Sequence, residues 1–258
     1  MKIYRYRYKH KEYYGILKEE LLYPIDGKVF GDFRIHKKGI PAGDVILLPP
    51  VIPSKIVAIG ANYKDHVLER GRPLPEEPLI FLKPSTSVIG PNDIIIYPKM
   101  SKRIDYEGEL AFIIKNKIHL LDEDSNVEDH ILGYTCFNDV TARDLQDKDG
   151  QFTRAKSFDT FAAIGPCIET EADPSDLSIK TFLNGKLKQS SSTKKLIFPV
   201  PYLVQFISSV MTLNPGDVVS TGTPAGIGPM SPGDRVDIQI EHIGTLSNTV
   251  MKVKRGDS

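Results

Sequence analysis

The sequence contains few of the residues and patterns that mark several classes of protein. It has no tryptophan and two cysteines, Cys136 and Cys167, among 258 residues. Two cysteines cannot build a disulfide framework, so we expect both thiols to be reduced, as in the cytoplasm. The 33 basic and 33 acidic residues give a formal net charge of zero. A neutral chain lacks the attraction that a nucleic acid or an anionic membrane requires, and we predict neither partner.

Long apolar runs are also missing. The longest, within residues 44–49 and 92–97, are far shorter than the ~20 residues that cross a bilayer. The first residues alternate charged and aromatic side chains, so they lack the apolar segment of a secretory signal. A content of 40% hydrophobic and 26% charged residues is typical of a folded protein with a core. We therefore predict a cytoplasmic globular protein.

Proline and glycine divide the chain into two parts. Glycines punctuate residues 27–43, and the prolines of residues 47–53 favour an extended linker because the residue before a proline avoids the helical conformation. We place the boundary there, with a small β-rich segment at 1–53 and a larger domain at 54–258. The first segment is too short to hold much of a core by itself, so we expect it to cover the main core or a dimer contact.

Most of the larger part is predicted to form strands. Asn184-Gly185 is a strong hairpin signal. Two helices are predicted, one from a cap at Asn62 to a stop at Gly71, the other within residues 201–211. The fold class is therefore mainly β with short helices, an α+β arrangement. The clearest apolar, β-branched runs are residues 55–60, 94–97, 109–114, 181–184, 218–221, 235–240 and 250–253.

Two glutamates stand at the start of an apolar strand. In a strand, Glu107 and Glu109 project from the same face, roughly 6 to 7 Å apart along the backbone, so both carboxylates can reach one ion. Residues 110–114 are apolar on both faces, which predicts an interior strand with the pair at its mouth. A solvated pair is the ordinary interpretation of Glu-x-Glu. At the end of a buried strand, however, protons or a cation must offset the repulsion between the carboxylates.

A third acid, Asp139, follows a second apolar strand at residues 131–138. Three carboxylates without histidine or cysteine form an all-oxygen ligand set. Such a set suits Mg²⁺ or Mn²⁺, with Ca²⁺ as an alternative, and disfavours Zn²⁺. From spacing alone, Asp139 is equally a turn residue, and both interpretations stay open at this point.

His66 and Glu69 are three residues apart on the first predicted helix and so share a face. A carboxylate beside an imidazole orients the ring and raises its basicity, as a general base requires. A surface ion pair on a polar helix is the alternative. Gly60 and Gly71 flank the helix and prolines follow it, an arrangement typical of a mobile lid over a site.

Six stretches, in this order, resemble the fumarylacetoacetate hydrolase family. Each is short, but the ordered set is specific for the family and spans residues 55–250. The stretches are Gly60-Ala-Asn-Tyr-Lys-Asp-His-Val-Leu-Glu, Phe81-Leu-Lys-Pro-Ser-Thr-Ser-Val-Ile-Gly, Asp105-Tyr-Glu-Gly-Glu-Leu-Ala, Asn138-Asp-Val-Thr-Ala-Arg-Asp-Leu-Gln, Ala155-Lys-Ser-Phe-Asp-Thr-Phe-Ala-Ala-Ile-Gly-Pro and Ser220-Thr-Gly-Thr-Pro-Ala-Gly-Ile-Gly.

The resemblance implies a fold and a cofactor. The fold is a β-sandwich or barrel-like catalytic domain, usually in a homodimer, preceded here by the small N-terminal segment. The cofactor is Mg²⁺ or Mn²⁺, held by Glu107, Glu109 and Asp139, and Lys156 lies beside it. The longer hydrolases of the family carry a further acidic ligand shortly before the histidine, where this chain has Ile59-Gly-Ala-Asn. Together with the short N-terminal segment, this difference indicates the compact branch of the family.

The resemblance also implies roles for the remaining site residues. His66 and Glu69 form the base dyad on a lid of residues 62–78, and Lys156 is catalytic. Three residues, Arg143, Gln146 and Thr223, are implied to contact the substrate. Without the resemblance, the sequence would indicate only an exposed helix start at Arg143 and Gln146 and a simple turn at Thr223.

The predicted function is a divalent-metal-dependent hydrolase that cleaves a C–C bond in a small 2,4-dioxo acid. The substrate is of the acylpyruvate or fumarylpyruvate type, and cleavage passes through a metal-stabilised enolate. The same enolate also serves a decarboxylase of oxaloacetate type or an isomerase such as that of 2-hydroxyhepta-2,4-diene-1,7-dioate, and the sequence leaves these alternatives open. A non-enzymatic binding module with a structural cation is a further alternative. The His66–Glu69 pair argues against it, because a structural ion needs no base.

Overall fold

The fold is that of a computed structural model in which residues 1–69, 71, 73–122 and 124–252 are described. Arg70 and Arg72 of the predicted lid, and residues 253–258 of the predicted larger domain, lie outside this part. No helix of the described chain is both long and apolar enough to cross a membrane.

The N-terminal residues form short antiparallel strands. Ile3, Arg5 and Tyr6 are buried along the first strand, whereas Arg7 is exposed. The strands are β1 (Lys2–Tyr8), β2 (Lys11–Lys18), β3 (Leu21–Gly27), β4 (Phe33–Ile35), β5 (Ile40–Pro41) and β6 (Ile46–Leu47).

The rest of the chain is also rich in strands. Four α-helices connect them within the described residues: α1 (Lys64–Glu69), α2 (Arg143–Asp149), α3 (Thr153–Lys156) and α4 (Val200–Val210). The strands are β7 (Ile56–Gly60), β8 (Leu79–Lys83), β9 (Val88–Ile89), β10 (Ile94–Ile96), β11 (Ile104–Tyr106), β12 (Gly108–Ile114), β13 (Ile131–Asp139), β14 (Thr141–Ala142), β15 (Ala162–Glu169), β16 (Ser178–Leu183), β17 (Lys186–Ser192), β18 (Val218–Ser220), β19 (Gly228–Met230), β20 (Arg235–Ile240) and β21 (Gly244–Met251).

The described strands form three sheets. The main sheet has the order β4-β3-β2-β1-β15-β13-β12-β18-β7-β8, and β5, β6 and β9 pair beside this path. A second sheet has the order β10-β21-β20-β16-β17, and a small third one has the order β14-β11-β19. The predicted fold class, mainly β with short helices in a sandwich-like domain, is confirmed.

The core has two layers, one on each face of the main sheet. Strand β12 lies between β13 and β18 and buries every residue. Its side chains alternate, with Leu110 and Phe112 facing the core shared with the second sheet and Ala111 and Ile113 facing the other layer. Residues of the N-terminal segment, including Val29, complete that other layer. The segment therefore covers one face of the sheet that carries the site, while the domain boundary at residue 53 stays a prediction.

Of three local features predicted from the sequence, the structure has the hairpin and the second helix but not the helix cap. Asn184 and Gly185 have φ angles of 51° and 76° and close the β16–β17 hairpin, and the second predicted helix is α4. The predicted cap at Asn62 is wrong. Its amide bonds instead to the Thr221 carbonyl at 2.8 Å and to the Phe198 N–H at 2.8 Å. Asn62 therefore fixes the entrance to α1 through distant backbone, which local spacing cannot reveal.

Candidate active site

Three carboxylates meet where β12 begins and β13 ends. The strands pair with Gly108 opposite Asn138, and the Asp139 N–H donates to the Glu107 carbonyl over 2.9 Å. Glu107 occupies the break before β12, and Glu109 is the second residue of that strand. One carboxylate oxygen from each of Glu107, Glu109 and Asp139 lies within 4.8 Å of the other two. The structure thus brings the predicted ligands together, and metal binding by them stays a prediction.

The three carboxylates are buried more deeply than the sequence indicated. Glu107 is 5% exposed, and Glu109 and Asp139 are each 1% exposed. They line a cavity of about 1150 Å³. Strand β12 is an interior strand, and the carboxylates are buried because residues of other elements cover both faces of the sheet around it.

Buried basic side chains hold two of the three carboxylates. Lys156 Nζ donates to Glu107 Oε2 at 2.8 Å and to Asp139 Oδ2 at 2.5 Å. The Arg143 guanidinium donates to Glu107 Oε1 and, at 2.9 Å, to Asp105 Oδ2. Helices α2 and α3 carry these cations and follow the strand that carries Asp139, with only the two-residue strand β14 between that strand and α2.

Lys83 is a site residue that the sequence analysis missed. It ends β8, is 1% exposed, and donates from Nζ to Asp139 Oδ1 at 2.5 Å. The signal that could have found it is a lysine at the end of an apolar strand, within the stretch Phe81-Leu-Lys-Pro. Because 56 residues separate the two charges along the chain, spacing could not pair them.

The carboxylates differ in their affinity for protons. Burial would raise the pKa of Glu107, but Lys156 and Arg143 outweigh burial and hold this pKa well below its usual range. Burial raises the pKa of Glu109, and the charges of Asp139 and Glu107 raise it further. The Glu109 carboxylate accepts from the Gly222 N–H at 3.0 Å, a neutral donor. Glu109 is therefore the carboxylate whose charge is least compensated before a cation binds.

Of the predicted base dyad, His66 lies on the wall of the same cavity, with Glu69 beside it. His66 lines the cavity, and its Nδ1 lies 3.4 Å from Glu69 Oε2. The Glu69 carboxylate also faces the Gly226 N–H at 3.3 Å from each oxygen, which joins the lid helix to a glycine-rich loop. Burial lowers the pKa of His66, against the opposite effects of Glu107 and Glu69.

The three predicted substrate-binding residues also border the cavity. Gln146 Oε1 accepts from the Arg143 guanidinium, so its amide NH₂ is the end that remains to donate. The Thr223 hydroxyl donates to the Gly108 carbonyl at 3.0 Å and accepts from Gln189 Nε2 at 2.8 Å. Since Arg143 and Thr223 are already engaged with protein groups, their contact with a substrate stays a prediction.

The donor set fits a hard divalent cation. Three converging carboxylates supply oxygen ligands, which Mg²⁺ and Mn²⁺ prefer. Two buried hydroxyls nearby, those of Ser157 and Tyr63, have no hydrogen-bond partner among the described residues. Ser157 lines the cavity. Burial raises the pKa of the Tyr63 hydroxyl, and the charge of Glu109 raises this pKa further. Water bound with a cation would satisfy such hydroxyls.

Known proteins resemble the chain over its length. Residues 55–251 match the family described as "Fumarylacetoacetate (FAA) hydrolase C-terminal", and residues 1–50 match "Rv2993c-like, N-terminal". The oxaloacetate tautomerase YisK of Bacillus subtilis (strain 168) is 42% identical over 213 residues, covering 77% of this chain and 70% of that protein.

Two solved structures extend the comparison. The 5-carboxymethyl-2-hydroxymuconate delta-isomerase from Mycobacterium smegmatis superposes with a TM-score of 0.92 at 41% identity, covering 98% of this chain and 100% of that one. A fumarylacetoacetate hydrolase from the psychrophilic Exiguobacterium antarcticum superposes with a TM-score of 0.88 at 35% identity, with the same coverage of both chains.

Proposed function

The chain belongs to the fumarylacetoacetate hydrolase family, as its resemblance implied, and we propose that it interconverts the enol and keto forms of a small 2-oxo dicarboxylic acid of the oxaloacetate type. One observation carries the proposal: the half-buried imidazole of His66 lines the same cavity as the ammonium groups of Lys83 and Lys156. A neutral base and fixed positive charge are what proton transfer beside a carbonyl requires. Similarity to a tautomerase and to an isomerase supports this reaction class.

In the proposed reaction, His66 moves the proton. Its lowered pKa keeps the ring neutral near neutral pH, so that it can accept a proton. Nδ1 faces Glu69, which leaves Nε2 to take the proton from carbon 3 of the keto form. The ring then returns this proton to the 2-oxo oxygen, and the negative charge of Glu69 stabilises the imidazolium in between. One proton moves from carbon to oxygen, and no carbon–carbon bond breaks.

Positive charge in the cavity stabilises the enolate that forms when the proton leaves. Burial would lower the pKa of Lys156, but Asp139 and Glu107 outweigh burial and raise it, so its ammonium group is charged. The ammonium group cannot drift away, because its two carboxylate partners fix it. A fixed charge in a buried site needs no reorganisation as the reaction proceeds. A divalent cation held by Glu107, Glu109 and Asp139 would act as a Lewis acid on the 2-oxo group.

The test follows the enol absorbance of oxaloacetate with protein plus Mg²⁺, Mn²⁺ or EDTA. The reference is the same cation without protein. Interconversion faster than the reference, with an intact carbon skeleton by NMR, is the expected result. His66→Asn should lower the rate by about 10²–10⁴-fold and leave Mg²⁺ affinity unchanged. Lys64→Ala, at an exposed position of the same helix, should change neither. The proposal is contradicted if the protein interconverts oxaloacetate no faster, with either cation, than the same cation does without protein.

Hydrolysis of a C–C bond in an acylpyruvate is the second candidate. The observation that favours it is Gln146, whose free amide end and cavity position suit a donor to the oxyanion formed when water adds to a carbonyl. Similarity to a fumarylacetoacetate hydrolase agrees with it. Acetylpyruvate separates the two candidates, because hydrolysis yields acetate and pyruvate whereas tautomerisation yields no fragments. Gln146→Leu should then abolish cleavage while sparing tautomerisation of oxaloacetate.

A further inference from the structure

We propose that Gln189 is a positioning residue that fixes the loop beginning at Thr223 to the backbone between Glu107 and Glu109. Its effect on substrate rests on the proposed function, whereas its effect on cation binding does not. Gln189 lies on β17, at the edge of the second sheet, and none of its surface is exposed. It does not line the cavity, so it acts through the groups that it holds.

The oxygen end of Gln189 holds the strand that carries the glutamates. Oε1 accepts from the Gly108 N–H at 3.0 Å and from the Thr181 hydroxyl at 2.7 Å. Gly108 separates Glu107 from Glu109, and a Cβ added there would lie 2.2 Å from Thr181 Oγ1. The backbone between the two glutamates is therefore pressed against this amide, and its position sets where both carboxylates project.

The nitrogen end of Gln189 holds the loop. Nε2 donates to Thr223 Oγ1 at 2.8 Å and to the Pro224 carbonyl at 2.8 Å. The Thr223 hydroxyl completes a closed triangle, since it donates to the Gly108 carbonyl at 3.0 Å. The triangle locks the rotamer of Thr223 and spaces the loop from the glutamates.

The same loop continues to the base dyad. Gly226 packs against β17, where a Cβ added to it would lie 2.4 Å from the Lys188 carbonyl oxygen. Its N–H faces the Glu69 carboxylate at 3.3 Å. A loop displaced from Gln189 would therefore carry the hydrogen-bond donor of Glu69 with it, and Gln189 connects the glutamate strand, the loop and the lid.

An amide is the side chain that this position requires. A glutamine offers two N–H donors and an oxygen with two acceptor sites, and Gln189 uses all four. A glutamate of the same shape can donate once at most, and only when protonated. A methionine offers neither end. Gln189→Glu therefore releases mainly the loop, whereas Gln189→Met releases the loop and the glutamate strand.

The experiment compares these two variants with Ser190→Ala, at the exposed neighbouring position of β17. Three quantities are measured: amide hydrogen exchange of residues 222–226, Mg²⁺ affinity by calorimetry, and KM and kcat with oxaloacetate. In Gln189→Glu, the loss of a buried hydrogen bond should make hydrogen exchange in the loop about tenfold faster and raise KM about tenfold. Its Mg²⁺ affinity should stay within about twofold of the wild-type value. Gln189→Met should in addition weaken Mg²⁺ binding by about tenfold, and Ser190→Ala should change nothing.

The outcomes separate this proposal from the proposed function. If the Gln189 variants lose thermal stability but match Ser190→Ala in exchange, Mg²⁺ affinity and KM, Gln189 is merely structural and the proposal is wrong. If the wild type turns over no 2-oxo acid but exchange and Mg²⁺ affinity change as expected, the proposed function fails and the role of Gln189 stands. Should both variants fail to fold, Thr181→Val is compared with Thr181→Ser. Weaker Mg²⁺ binding in the valine variant alone supports the proposal, and equal binding overturns it.

Discussion

At the scale of single residues, the site is a chain of buried groups with alternating charge. Lys83 contacts Asp139, which contacts Lys156, which contacts Glu107, which contacts Arg143. Each charge in this chain has an opposite neighbour, which offsets the cost of burying it. Glu109 stands outside the chain, and this accounts for the opposite pKa shifts of the two glutamates.

The role of Lys83 in this chain gives the first prediction. Lys83→Met leaves Asp139 Oδ1 without its cation, and removing one partner of a buried pair costs about 3–5 kcal/mol. A divalent cation at the site would restore positive charge beside Asp139. We therefore expect the variant to lose more stability in EDTA than in saturating Mg²⁺, as measured by urea unfolding.

Lys55→Met is the matched control for this prediction. Lys55 also lines the cavity, but its Nζ pairs with the fully buried Asp217, which is not one of the three clustered carboxylates. Its loss of stability should be the same with and without Mg²⁺. If Lys83→Met loses the same stability in EDTA as in Mg²⁺, no bound cation compensates the charge of Asp139.

The base dyad gives a prediction about pH. His66 must be neutral to accept a proton, so activity falls as pH drops through its pKa. Burial holds this pKa below the ordinary value of 6.5, which places the acid limb of kcat/KM below pH 6.5. Glu69 raises the pKa of His66, so Glu69→Gln should move the limb to still lower pH and reduce the plateau. A limb above pH 6.5, or one that moves upward in Glu69→Gln, would contradict the assignment of His66.

At the scale of secondary structure, the strands that carry the carboxylates were predictable and their partners were not. The period of two in residues 107–114 predicts that Glu107 and Glu109 share a face and that the strand is interior. An apolar run likewise ends at Asp139. These signals are local, because alternation and burial follow from neighbours along the chain.

Contacts between distant elements escaped prediction for a physical reason. Lys83 lies on β8, which is separated from β12 by two strands of the main sheet, and Gln189 lies on β17 at the edge of the second sheet. Only the tertiary fold brings their side chains to Asp139 and to Gly108. A lone lysine or glutamine in a strand carries no spacing signal. Thr223 was found only through the family resemblance, and its bonds to Gly108 and Gln189 depend on pairing across two sheets.

The start of β12 gives a prediction about packing. Gly108→Ala places a Cβ 2.2 Å from Thr181 Oγ1 and 3.0 Å from Ile238 Cδ1, so the strand or its neighbours must move. Overpacking of this kind costs about 1–3 kcal/mol, and movement of the backbone between the glutamates should also weaken Mg²⁺ binding. Urea unfolding and calorimetry measure the two effects.

Gly43→Ala is the control for the packing prediction. A Cβ there meets no atom within 4 Å, and the residue lies in the N-terminal segment, away from the carboxylates. Its stability should change by less than about 0.5 kcal/mol, with unchanged Mg²⁺ affinity. If Gly108→Ala behaves like Gly43→Ala, the close contact with Thr181 does not constrain the glutamates.

At the scale of the whole molecule, the site lies where all the layers meet. The carboxylates begin or end central strands of the main sheet, Gln189 comes from the second sheet, and the glycine-rich loop contacts Glu69 of α1. The N-terminal segment packs on the face of the main sheet that lies away from the second sheet. Ordering of the carboxylates therefore depends on the complete fold, and a cation bound by them should stabilise all of it.

This dependence predicts that a divalent cation raises the stability of the whole chain. A ligand that binds the folded state alone contributes RT ln(1 + [L]/Kd), about 2.7 kcal/mol at one hundred times Kd. We expect Mg²⁺ or Mn²⁺ to raise the midpoint of thermal unfolding in proportion to the logarithm of its concentration, and EDTA to reverse the shift. The variant Glu109→Gln tests which residues bind this cation, because it removes one predicted ligand and the buried carboxylate whose pKa is raised. Without metal, the variant should be at least as stable as the wild type near neutral pH, where ionisation of Glu109 opposes folding. It should also lose most of the Mg²⁺-dependent shift, and a variant that retains the full shift would place the cation elsewhere.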